Sequence, residues 1–393
     1  MSSVARRGVD EVVALPCALP SLTGVRGVAA LWVLAFHGSL FLGVGVPAVS
    51  PLVDRGWSGV DLFFVLSGFI LMHAHQNDFD SVDGAALRRF AWLRFTRVYP
   101  LNFVVLLLIA ALLTYDPGVK QSLEWNNMGP FSALTFIRTA LLGFLPGSGD
   151  WNHPVWSLSA EVVGYAAFPL IARHLSRIGR ASSWLAVGSF ALLVAIHVGT
   201  DEIGLNVMSP SRALPRMFCC FLGGAALYRF RTFAPELAAW AGWAAGGAVV
   251  LLIGCSFSRA GAEAMPALYG LLIFSLSYQR GMVDRALSTM VARWFGAISF
   301  PLYLVHVIGM FWVASLIDRG TVEAGWLTLV TWVVSCFGLS AVLHWGVELP
   351  MHRVARRCLL ALRASAAARS QAAVSPASQV SQQALARVRT RAM

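Results

Sequence analysis

Ten apolar runs, each long enough for a helix that crosses a bilayer, constrain this chain more than any other feature. They cover approximately residues 24–46, 57–74, 98–115, 155–171, 182–200, 213–228, 237–257, 263–278, 296–317 and 326–347, and about 17–25 helical residues span the hydrocarbon. The remainder cannot build a soluble surface, because only 12% of the 393 residues are charged while 57% are hydrophobic, and ordinary globular chains are about 25% charged. The expected fold is all-α, a polytopic membrane protein of about ten transmembrane helices. An eleventh run, 131–145, is short, contains Arg138 and precedes the turn-rich PGSGDWNHP. It reads as a re-entrant or surface helix.

Orientation follows from arginine, since cytoplasmic loops accumulate Lys and Arg. With both termini in the cytoplasm, inner segments collect 23 of the 30 basic residues, whereas a full crossing at 131–145 would put Arg173, Arg177 and Arg180 outside. Residues 1–23 then form a cytoplasmic lead, 24–350 the membrane domain and 351–393 a basic tail. That tail holds eight Arg from Arg353 onward and no acid, out of a net charge of +11, which suits an anionic leaflet. Beyond about residue 364 it is mostly Ala, Ser and Gln with one Pro, too poor in large apolar groups to pack, and is expected to be disordered. No basic groove tracks the rest of the chain, so nucleic acid is not an expected partner. Asp10, Glu11 and two prolines interrupt the amino terminus, so no cleavable export signal is expected and the first run is a retained span. The six Cys show no paired metal-ligand spacing, and neither a metal nor a disulfide framework is expected.

Ionisable groups inside spans cost roughly 2.5–3.5 kcal/mol each at the helix centre and demand a reason. Arg26 and His37 lie eleven residues apart on the first span, hence on one face and about 16 Å apart at the helical rise. Counting along the spans brings His37 and Glu161 to nearly one height, His306 somewhat lower and Asp61 somewhat higher. A buried polar layer of this kind suits a base and its orienting carboxylate, or mutual pairing alone. His197 and His344 lie near span ends, where a hydrated imidazole is unremarkable. Between the second and third spans, RRFAWLRFTRVYP places Arg94 and Arg97 three residues apart. On a helix they share a face and could grip one polyphosphate, or could simply mark an interfacial helix on the positive side.

Five segments in order then identify a resemblance. LTGVRGVAALWVLAFH at 22–37, GVDLFFVLSGFIL at 59–71, LRFTRVYP at 93–100, WSLSAEVVGY at 156–165 and ISFPLYLVH at 298–306 resemble, in sequence, the signature phrases of the membrane-bound acyltransferase family 3. Departures are Thr23 for the usual Asp and Ala160 and Val162 beside Glu161. The resemblance implies about ten spans and transfer of an acyl group, commonly acetyl, from cytoplasmic acyl-CoA to a glycan hydroxyl outside. It implies His37, Arg26 and Glu161 as catalytic residues and Arg94 and Arg97 as contacts to the CoA phosphates. Asp61, Ser67, Tyr99, Trp156, Ser157, Tyr303 and His306 fall in the matching phrases as supporting residues. No permanently bound cofactor is implied, since acetyl-CoA or another acyl-CoA is a donor substrate. The expected acceptor is a glycan or lipid-linked glycan such as lipopolysaccharide O-antigen or exopolysaccharide, and the expected location is the bacterial cytoplasmic membrane. A transporter or flippase of a lipid-linked glycan, with His and Glu coupled to protons, is the competing reading, and a purely structural membrane subunit a third.

Overall fold

A computed structural model of the chain describes residues 15, 16, 18–79, 83–125, 130–142, 151–198 and 210–360. The expected disordered tail beyond about residue 364 lies outside the described residues. Those described are helical, with no strand among them. A helix overlaps each of the ten apolar runs, several of them reaching beyond it: α1 Pro20–Leu42, α2 Gly59–His75, α3 Gly84–Tyr115, α6 Val155–Leu175, α7 Ser182–Val198, α8 Pro210–Arg231, α9 Ala241–Ser256, α10 Arg259–Leu276, α12 Met290–Asp318 and α13 Trp326–Leu343. Between them lie the shorter α4 Pro117–Trp125, α5 Ala133–Ala140 and α11 Gly281–Leu287. Among the described residues, six segments are long and apolar enough to cross a membrane, namely Pro20–Leu42, Pro47–His75, Gly84–Tyr115, Val155–Leu175, Met290–Asp318 and Trp326–Leu360. The eight residues of α5 rise only about 12 Å, so in the described part of the run at 131–145 the helix is too short to cross.

Local chemistry sets the helix ends. Pro20 opens α1, where a missing N–H costs nothing, and Gly43 closes it in the left-handed region (φ 62°) with its N–H donated to the Ser39 carbonyl. The Asp83 carboxylate caps α3 by accepting from the Ala86 N–H at 2.6 Å. Ser132 and Thr135 form a reciprocal capping box on α5.

Packing follows two long seams, α1 along α12 and α2 along α8. In the second seam a Cβ built on Gly68 would stand 1.9 Å from the Phe221 carbonyl oxygen, and one on Gly224 would stand 1.9 Å from that of Val65. Only glycine allows the two backbones this close, the device by which membrane helices associate without a hydrophobic drive between them. The outward faces carry large apolar side chains, with Trp184, Trp243 and Leu327 exposed by 77%, 82% and 81%. Such a surface is stable against lipid and not against water.

The interior divides into two apolar clusters. One is centred on α2, α8 and α10, the other on α3, α12 and α13, and α1 and α6 contribute to both. Phe63, Tyr165 and Tyr303 pack against both clusters at once. The seam they mark is where polar residues collect. The last helix runs beyond the expected domain boundary at 350: after α13 a π-helical turn at His344–Glu348 leads into helix that continues to Leu360.

Candidate active site

A cavity of about 730 Å³ opens along that seam between α1, α2, α3, α6, α12 and the end of the last helix, a size usual for small-molecule sites. Its lining divides by chemistry. Arg26, Arg94, Arg97, Arg293, His352 and Arg356 stand toward the arginine-rich end, while Ser67, Glu161 and Tyr303 line it farther along their helices and Ser157 near the start of α6.

Each group has a physical anchor. Ser67 on α2 donates to Glu161 Oε1 on α6 at 2.5 Å. Ser157 and Tyr303 hydroxyls lie 2.6 Å apart, joining α6 to α12. Arg94 lies over the rings of Phe90 and Tyr165 at 5.7 and 5.8 Å, and its Nε has no hydrogen-bond partner. Arg97 donates to Glu348 Oε1 at 2.6 Å, while the other Glu348 oxygen stands 2.7 Å from His344 Nδ1. Glu348 is 3% exposed, and the π turn that carries it is of a kind frequent at functional sites.

His37 is partly buried and does not line the cavity. Its Nδ1 lies 2.9 Å from the Val33 carbonyl oxygen. A carbonyl can only accept, so Nδ1 carries the proton in this contact, and in the neutral ring Nε2 holds the free lone pair. The His306 ring centroid is 4.7 Å away, and Tyr303, three residues earlier on α12, lies 5.9 Å from His306. His306 is 1% exposed and its Nε2 has no partner. Beyond the pair, His153 in the turn before α6 lies within electrostatic reach of both imidazoles.

The structure therefore separates residues that counting along spans puts in one layer. Glu161 sits with Ser67 in the cavity and makes no hydrogen bond to His37 among the described contacts; the residue beside His37 is His306. Asp61 pairs instead with Arg216 of α8, Nε to Oδ1 at 2.5 Å and an η-nitrogen to Oδ2 at 2.8 Å, with both side chains almost fully buried. Trp156 packs against Phe64 at 6.3 Å and Arg216 at 5.9 Å. Tyr99 is outside the cavity, stacked between Phe95 and Phe103 at 4.8 and 6.1 Å.

Sequence reasoning missed Arg216, Glu348, His352, Arg293 and Arg356. Arg216 was legible in principle, since an arginine near the start of an apolar run requires a partner. Nothing in the primary structure singles out the remaining four: Arg293 counts because the start of α12 lines the cavity, and Glu348, His352 and Arg356 because the last helix continues past α13 alongside it.

A multi-helix membrane protein with a cavity lined by arginines, hydroxyls and one carboxylate, and with a histidine pair next to the lining residue Tyr303, is the class that fold and site define. Residues 19–345 match the acyltransferase family 3, described as "Acyltransferase domain", and the chain belongs to that family. It is a membrane acyltransferase, and the transporter and structural-subunit readings give way to an enzyme. It is 28% identical over 376 residues to acyltransferase MdmB of Streptomyces mycarofaciens, covering 86% of this chain and 93% of that one. It is 23% identical over 314 residues to peptidoglycan O-acetyltransferase OatA of Listeria monocytogenes, covering 73% of this chain and 49% of the relative. Protein 2 in the picA locus of Rhizobium radiobacter is 35% identical over 159 residues, 37% of this chain and 78% of its own. No solved structure matches the chain.

Proposed function

We propose that the enzyme moves an acetyl group, or a closely related acyl group, from cytoplasmic acyl-CoA to a hydroxyl of a cell-surface glycan, acting as a ten-span protein of the bacterial cytoplasmic membrane. The observation that carries the reading is the cavity, cationic at one end and polar at the other, which stops beside the histidine pair. Arg94 lines the cavity, and Arg293 and Arg356 stand on the same lining. Planar guanidinium groups suit the phosphates of a nucleotide thioester. The acyl end would then lie toward Glu161, Ser157 and Tyr303. His37, with its proton held at Nδ1 by the Val33 carbonyl, presents Nε2 as the base for an incoming hydroxyl. Arg26 lines the same cavity below it, and Glu161 supplies the one carboxylate in that lining. The name of the Listeria relative supports an O-acetyl group and a wall glycan as the kind of acceptor.

The test is acetyl-ester content of isolated surface glycan, measured by NMR, in cells with the wild-type gene, without it, and with His37→Ala. Esters should disappear in the last two. Unchanged esters, with labelled acetate recovered on a small secreted molecule instead, would replace the glycan as acceptor.

A further inference from the structure

In acyl transfer from a thioester, the acceptor O–H bond breaks, an O–C bond to the acyl group forms, and the C–S bond breaks. The sulfur leaves as thiolate and must take up the proton that the hydroxyl loses. In the arrangement above these events fall on different sides of a buried layer, because the thiolate departs into the cavity while His37 lies outside its lining. A proton taken at His37 needs a route back.

We propose that His306, Tyr303 and Ser157 form that route, carrying the proton from His37 to the blind end of the donor cavity. The inference rests on acyl-CoA occupying the cavity. Four observations support it. The imidazoles of His37 and His306 are neighbours at 4.7 Å between centroids. His306 Nε2 is buried without a partner, a costly state in so apolar a setting unless the atom is used. Tyr303 is one helical turn from His306 on the same face of α12, with the rings 5.9 Å apart. Its hydroxyl meets that of Ser157 at 2.6 Å, and both side chains line the cavity. Each hydroxyl can donate and accept at once, and His306, whose other ring nitrogen is held by the Leu302 and Tyr303 backbone, takes up and releases the proton at Nε2, so the series is made of groups able to pass a proton. A water or a small ring rotation closes the gap between Tyr303 and His306 Nε2, a polar site of the kind that buried waters occupy. Neighbouring backbone is held in place: the Trp332 indole N–H donates to the His306 carbonyl at 3.1 Å, and the Asn152 amide donates to the Leu304 carbonyl at 3.2 Å.

Tyr303→Phe tests the route with the loss of one oxygen, keeping the ring that packs between the two apolar clusters. Purified full-length protein in lipid nanodiscs is given acetyl-CoA with chitopentaose or water as acceptor, and release of CoA thiol is followed in H₂O and D₂O. The expected result is a fall in kcat of about tenfold to a hundredfold, a KM for acetyl-CoA close to wild type, and a larger solvent isotope effect. Ser157→Ala and His306→Gln should behave alike, and Tyr303→Phe with Ser157→Ala should be no worse than the more damaging single change. A variant that merely misfolds loses active protein without changing the isotope effect. Tyr303→Phe and Ser157→Ala proteins with wild-type kcat and isotope effect overturn the route while acyl transfer from CoA stands. Wild-type protein that releases no CoA with either acceptor removes the donor reading, and the route falls with it.

Discussion

Two arginines three residues apart on α3 have come to different fates. Arg97 is fastened to the buried carboxylate of Glu348, whereas Arg94 keeps an unpaired nitrogen beside the cavity. Arg94→Ala should therefore raise the KM for acyl-CoA in protein that inserts and melts normally. Arg97→Ala should also lower the melting temperature, because the buried Glu348 carboxylate would keep only His344 beside it, and breaking a buried ion pair costs up to about 3–5 kcal/mol. Kinetic titration with acetyl-CoA and thermal melts in nanodiscs separate the two, and equal melting temperatures would show that the Glu348 pair bears no load. His37 gives the sharper expectation. His37→Ala should lose the roughly hundredfold to ten-thousandfold activity of a missing acid–base group at unchanged abundance. Near-normal turnover would move the base to His306. His37 was legible in the sequence as a costly buried imidazole an integral number of turns from Arg26. Its contact with His306 was not, since the two are 269 positions apart and a depth count says nothing of which way a helix is turned.

Among elements, α2 and α8 do most to hold the site's frame, since α2 supplies Ser67 and α8 the arginine that neutralises Asp61. Their backbones touch through Gly68 and Gly224. Gly224→Ala would drive a Cβ against the Val65 carbonyl, and overpacking of this kind costs about 1–3 kcal/mol. A lower melting temperature with reduced activity is the expected outcome, measured on detergent-purified protein, and a neutral substitution would mean the helices part without penalty. Asp61 illustrates what a helix pair decides. From sequence it could join the catalytic layer or be paired; the α2–α8 contact brings Arg216 to it bidentately beneath Trp57, 5.0 Å away. The last helix, read as ending near 347, carries on through a π turn that aims Glu348 at Arg97. No periodicity forecasts such a turn, because it depends on what the neighbouring helix offers.

At the scale of the whole molecule, ion pairs between loops group the two ends of the bundle. Arg180 reaches Glu236 at 3.2 Å and Arg89 reaches Asp78 at 2.5 Å at the arginine-rich end. Arg319 reaches Asp116 at 2.8 Å at the other end, where the guanidinium holds that carboxyl below its usual range. If the arginine-rich end faces the cytoplasm, a membrane-impermeant maleimide added to intact cells should label Glu323→Cys and spare Arg180→Cys in a background lacking the native cysteines. Labelling of Arg180→Cys from outside would invert the topology and place the donor cavity on the wrong side. The all-helical membrane class, the approximate place of the long helices and the five motifs were determined by the sequence alone, because the bilayer enforces helix length and hydropathy one segment at a time; where α3, α12 and the last helix begin or end was not. Which polar residues meet was decided only by tertiary structure. Asp61 went to Arg216, Glu161 to Ser67 and His37 to His306, since depth in the membrane is a local property of each helix, whereas azimuth and neighbour are set by the packing of all of them together.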